Sequence, residues 1–132
     1  MKNSDTTLTL LQITAALSAL LGVLQTVLGF GWVSMPGWHG TLGNVTFVVA
    51  LLAAVFAFLW MRRSANKGLF MHAAGMAVLA LVQIALGEME IREVHMATGV
   101  LFLLGSVALA TLAFRKPGRA LADQPNDPAR LR

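Results

Sequence analysis

The 132-residue chain contains neither cysteine nor tyrosine. The first absence excludes disulfides, thiolate catalysis and cysteine-ligated clusters. The second removes a tyrosyl acid, base or radical. Charge is also scarce: Asp, Glu, Lys and Arg together make up 12% of the residues, against about 25% in an average soluble domain. The material that replaces them is apolar. Hydrophobic residues account for 57% of the chain and its mean hydropathy is +0.71, the composition of a protein that lives in lipid.

Four apolar stretches carry this excess: Leu8 to Phe30, Leu42 to Met61, Leu69 to Gly87 and Val94 to Phe114. Each has the length of about 20 residues that a helix rising 1.5 Å per residue needs to cross ~30 Å of hydrocarbon. The first is too long an apolar run for a signal peptide and is preceded only by Lys2, so it reads as a retained span. Basic residues cluster between spans two and three (Arg62, Arg63, Lys67) and after span four (Arg115, Lys116, Arg119, Arg130, Arg132). The other two connections hold Arg92 and the acids Glu88, Glu90 and Glu93. The positive-inside rule then predicts a multi-pass protein of the plasma membrane with both termini in the cytoplasm. The net charge of +4 is thereby explained by topology and by attraction to anionic lipid, and nucleic acid is not an expected partner. Trp32 and Trp38 fall at the outer boundary and Trp60 at the inner one, as in an aromatic belt. Residues 1–116 form the four-helix transmembrane domain. The Pro-containing, charged segment 117–132 is expected to be a disordered cytoplasmic tail.

The two halves of the chain repeat. "LQTVLG" (Leu24 to Gly29) closes span one and "VQIALG" (Val82 to Gly87) closes span three. Gln25 and Gln83 lie 58 residues apart, His39 and His95 lie 56 apart, and each histidine is followed four residues later by glycine, Gly43 or Gly99. A repeat of matching topology implies two helical hairpins related by a pseudo-twofold axis along the membrane normal. The expected fold is therefore an all-α membrane protein, an antiparallel four-helix transmembrane bundle built from two duplicated hairpins.

If helices two and four are diagonal, His39 and His95 face each other across the interior at the outer end. At helical spacing, His39 shares a stripe with Gly43, Thr46, Ala50, Ala53 and Ala57, and His95 shares one with Gly99, Phe102, Ser106, Ala110 and Ala113. Phe47, Val48, Leu51 and Leu52 are left for lipid. Each feature has a plain explanation when taken alone. An interfacial histidine reaches water at little cost, and small residues let transmembrane helices approach closely. The coincidence of both features at matched positions favours ligation. Gln25 and Gln83, one turn inside the outer helix ends, suit interhelical hydrogen bonding or contact with an axial imidazole. Arg92 suits the anionic edge of a cofactor. His72, near the inner end of span three, has Thr14 as its repeat mate. No second histidine pair is therefore expected, and a quinone or proton role competes with a plain helix-end histidine.

Two imidazoles are too few for structural zinc, which takes four protein ligands, and calcium and magnesium want oxygen. Haem needs one or two axial ligands and tolerates an apolar site. The expected cofactor is haem b held between His39 and His95. Attachment would be non-covalent, because the chain has no C-x-x-C-H.

Q-x-x-L-G, an outer loop and a histidine opening the next helix resemble the hairpins of the haem A synthase family over roughly Leu20 to Phe114. Members of that family are eight-helix membrane enzymes made of two four-helix halves. Each half holds haem between histidines of its even-numbered helices. This chain has the length of one half. The family's catalytic glutamate, three residues before a histidine followed by arginine, is replaced by Pro36 ahead of His39 and Arg92 ahead of His95, and Gly40 and Met96 follow the histidines. The cysteine pair of many members is absent. The resemblance therefore implies the cofactor-holding half rather than methyl hydroxylation. Together these readings favour a small b-type cytochrome for electron transfer or haem handling over a stand-alone enzyme, without deciding whether the chain is an enzyme. It would act alone, as a homodimer, or within a larger respiratory or haem-handling complex. The alternative is a cofactor-free accessory subunit or a small transporter-like protein whose repeat serves packing.

Overall fold

A computed structural model describes residues 5–124. Four helices account for most of them: α1 (Thr6–Gly29), α2 (Trp38–Ser64), α3 (Lys67–Glu88) and α4 (Arg92–Arg115), followed by one short 3-10 turn, Leu121–Asp123. In a bilayer every backbone N–H and C=O must be satisfied within the protein, and long uninterrupted helices do this segment by segment. The shortest, α3, has 22 residues, about 33 Å of rise. All four are long and apolar enough to cross a membrane, so the chain is a multi-pass membrane protein.

The helices start and stop where the sequence supplies the means. The Asp5 side chain caps α1 by accepting from the Thr7 amide at 2.9 Å. Asn66 caps α3 by accepting from the Leu69 amide at 3.1 Å. The α2–α3 turn needs only Ala65, at φ 58°, and Asn66. Gly37 precedes α2 with φ 79°, a left-handed conformation that glycine adopts without strain. It starts α2 at Trp38, four residues ahead of the apolar run, so His39 lies inside the helix rather than before it. His95 is likewise the fourth residue of α4.

Helix α1 packs against α2 and α4, and α3 packs against the same two, whereas the backbones of α1 and α3, and those of α2 and α4, do not come close to each other. The even-numbered helices are thus diagonal in an antiparallel square. The chain's first and last helices put the described ends of the chain on one face, here called the basic end, and the 30–37 and 89–91 loops on the opposite face, the histidine end.

Burial follows the internal repeat. Leu11 and Leu69, Ala15 and Ala73, Ala53 and Leu109, and Ala57 and Ala113 are mates at the repeat spacing, and all are at most 2% exposed. Val48, Leu51 and Leu52 lie on the outside, as expected. Phe47 does not: it packs partly against the core, because the run of alanines on α2 leaves room beside them. Trp60 also departs from the aromatic-belt reading. It is 3% exposed, turned inward by a hydrogen bond from its Nε1–H to the Pro117 carbonyl at 2.7 Å, while Trp32 and Trp38 are exposed at the histidine end. The Pro117 carbonyl also accepts from Asn66 Nδ2 at 3.0 Å. The segment assigned from sequence to a disordered tail is therefore pinned at its first residue, and the 3-10 turn follows. Residues 125–132 of that segment lie outside the described residues.

Candidate functional site

Among the described residues, every buried one lies on the basic side of one level in the bundle. The last on each helix toward the histidine end are Gly22, Thr46, Ala80 and Phe102, two pairs of repeat mates. Beyond them the helices enclose a cavity of about 670 Å³, of which these four residues form the floor. The volume lies within the ~300–1,000 Å³ of small-molecule and cofactor sites. His39 and His95 stand seven residues above the floor on the diagonal helices, roughly 10 Å of helix rise.

The two imidazoles face each other across the bundle. Their Nε2 atoms are 3.4 Å apart and their rings meet edge to face, with centroids 5.7 Å apart and planes at 84°. His95 Nδ1 lies 3.0 Å from the Gln83 carbonyl oxygen. A carbonyl only accepts, so Nδ1 carries the proton and the Nε2 lone pair faces His39 Nε2, whose N–H donates to it. Metal-binding histidines commonly have this arrangement, with the distal ring nitrogen donating to a carbonyl or carboxylate. His39 Nδ1 is buried and has no partner.

The repeat motif explains how the rings fit. A Cβ on Gly29 would stand 3.2 Å from His39 Cε1, and one on Gly87 would stand 3.5 Å from His95 Cε1. The glycine that closes each Q-x-x-L-G is therefore the surface on which the following histidine rests. The sequence alone gives these two glycines no role; their matched place in both copies of the repeat is the signal. Gly43 and Gly99 line the cavity. Their nearest outside neighbours are the glutamine amides, with Gln25 Nε2 3.3 Å from a Cβ on Gly43 and Gln83 Oε1 3.5 Å from one on Gly99. Gln25 Nε2 donates to the His39 carbonyl at 3.1 Å, and its Oε1 is buried without a partner. Gln83 Nε2 donates to Thr98 Oγ1, a contact the sequence reading missed because the repeat puts Leu42 at the matching place in the first hairpin.

Arg92, the first residue of α4, is exposed and borders the cavity mouth with Glu88 and Glu90. The single ion pair among the described residues is elsewhere, between Arg63 and Asp5 at the basic end. His72 does not reach the cavity. Its Nε2–H donates to the Gly105 carbonyl at 2.8 Å and ties α3 to α4.

No group of three or more His, Cys, Asp or Glu residues gathers among the described residues. The histidine pair is thus two donors and not a full coordination sphere, an arrangement suited to a group that brings its own equatorial ligands. The 3.4 Å between the two nitrogens is a hydrogen-bond distance, and two metal–imidazole bonds of about 2.0–2.1 Å would need the rings to part until the nitrogens are about 4 Å apart. Comparison with protein-family models, with curated proteins and with solved structures returned no match.

Proposed function

We propose that the chain is a small membrane cytochrome of b type, with His39 and His95 as the two axial ligands of a non-covalently held haem. The observation that carries this reading is the facing pair of Nε2 atoms at the mouth of a cavity, with the tautomer of His95 set by a backbone carbonyl. Haem supplies one-electron chemistry when bound. The protein's part is to present two nitrogens along one line, to keep a largely apolar chamber beneath them, and to receive the ring edges of both histidines against Gly29 and Gly87. With both axial positions taken by imidazole, electron transfer or haem handling suits the site better than oxygen chemistry. The haem A synthase-like repeat supports the same assignment, without that family's catalytic glutamate. By the positive-inside rule the basic end faces the cytoplasm, which places the site toward the opposite leaflet of the plasma membrane.

Reduced-minus-oxidised spectra of the detergent-purified protein test the proposal. Wild type and His72→Ala should give a haem b difference band, and His39→Ala and His95→Ala should lose or alter it. A folded wild type that takes up no haem refutes it and supports the cofactor-free accessory-subunit reading.

A further inference from the structure

The two hairpins hold their histidines unequally. His95 is fixed twice: its Nδ1–H is committed to the Gln83 carbonyl, and its backbone N–H is already in the helix, bonded to the Ile91 carbonyl at 2.9 Å. Glu93 in the first turn of α4 complements the positive end of that helix. His39 has a bond from Gln25 Nε2 to its backbone carbonyl but none of these supports. Its Nδ1 has no partner and it is only the second residue of α2. The first turn of α2, which like α4 has no side-chain cap, also has no acidic residue. Its neighbours Trp38 and Gly40 are exposed, and a Cβ on Gly40 would meet nothing within 4 Å. His39 also borders a second hollow of about 330 Å³ beneath the 31–37 loop, beside Leu28, Met35 and Pro36, which gives the ring somewhere to turn.

The geometry points to His39 as the exchangeable ligand and His95 as the permanent one, so that the site takes up a small neutral diatomic molecule on the face that His39 leaves. This inference rests on the haem reading above. In the exchange one coordinate bond to His39 Nε2 breaks and one bond to the incoming molecule forms, with no net movement of protons or electrons. The first turn of α2 frays, the imidazole swings toward the second hollow, and His95 keeps the haem in place through the Gln83 carbonyl.

Carbon monoxide is the probe. The haem-loaded, reduced wild type should bind it at a rate that levels off at high carbon monoxide, where release of His39 limits the reaction. His39→Ala should retain haem and bind with a rate that rises linearly with concentration. Gly40→Ala, which fits its site and favours the helix, should lower the plateau about fivefold. A reduced wild type that stays unliganded at saturating carbon monoxide overturns the inference. So does the reverse pattern, in which His39→Ala loses haem while His95→Ala keeps it. A protein that takes up no haem overturns the underlying reading as well, and this is visible before any carbon monoxide is added. Nitrogen-15 spectra of the haem-free protein give a check independent of loading and of variants. His95 should hold the Nδ1–H tautomer with a rigid ring, and His39, held only through its Nε2–H on the His95 lone pair, should show exchange broadening from ring motion; a His39 ring as rigid as that of His95 contradicts the inference.

Discussion

The two ends of this bundle are built from the same repeat and are packed in opposite ways. At the basic end Leu11, Leu69 and Leu109 are fully or almost fully buried, Trp60 fills the interior and ties the two hairpins through Pro117, and each hairpin is closed within itself by the Arg63–Asp5 or the Asn66–Pro117 bond. At the histidine end glycines replace large side chains, a cavity takes the place of a core, and the hairpins meet tip to tip through His39 and His95. Helices in lipid gain little from the hydrophobic effect and associate through close packing and interhelical bonds. An end left unfilled therefore gives up contacts that the other end makes. The two ends thus differ in packing, one filled by large side chains and the other left as a cavity.

The division of labour can be broken from either side. The largest effect on stability is expected from Leu109→Ala, which opens a void among fully buried residues and should cost about 2–5 kcal/mol. It should lower the thermal unfolding midpoint in detergent while leaving the haem spectrum of the folded fraction unchanged. Gly99→Leu is its counterpart at the other end. It fills the cavity and removes a helix glycine, so unfolding should be unchanged or improved, while haem retained per chain falls at least roughly tenfold, a loss of about 1.4 kcal/mol in binding. Trp60→Phe deletes one donor to the Pro117 carbonyl, which keeps Asn66 as a partner. The expected loss is about 0.5–1.5 kcal/mol, read as a modest fall in midpoint with normal haem content.

The smallest effect comes from Asp5. Burial raises its carboxyl pKa, but the bonds from Arg63 and Thr7 outweigh that and hold it below the ordinary value of 3.8. The folded state thus favours the ionised form. Its contribution is complete above the ordinary carboxylate range and is lost as pH falls through the lowered folded value. Arg63 is well exposed, so the pair is worth only about 0.2–1 kcal/mol. Comparing wild type with Asp5→Asn in acid unfolding should show that difference at neutral pH and its disappearance in acid, with haem content equal throughout.

Much of this contrast can be read from particular residues of the sequence. The 58- and 56-residue offsets locate the repeat, the basic loops group the ends, and two histidines at matched depth require diagonal helices to meet. Those are properties of spacing, and spacing survives folding. Other features depend on neighbours that no periodicity encodes. Trp60 looks like a belt residue because it falls at a span boundary, yet a carbonyl 57 residues away turns it inward. Gly43 and Gly99 look like space left for a flat ligand, and part of that space is occupied by the glutamine amides. The unequal support of the two histidines is invisible because one of its causes, the Gln83 carbonyl, is a backbone atom that every residue carries.

Electron paramagnetic resonance of the oxidised, haem-loaded protein tests the central claim most directly. If His39 and His95 share one iron, wild type and His72→Ala give a low-spin ferric signal of two imidazole ligands, and either His39→Ala or His95→Ala converts it to high spin or abolishes it. A low-spin signal that survives both substitutions would contradict the account.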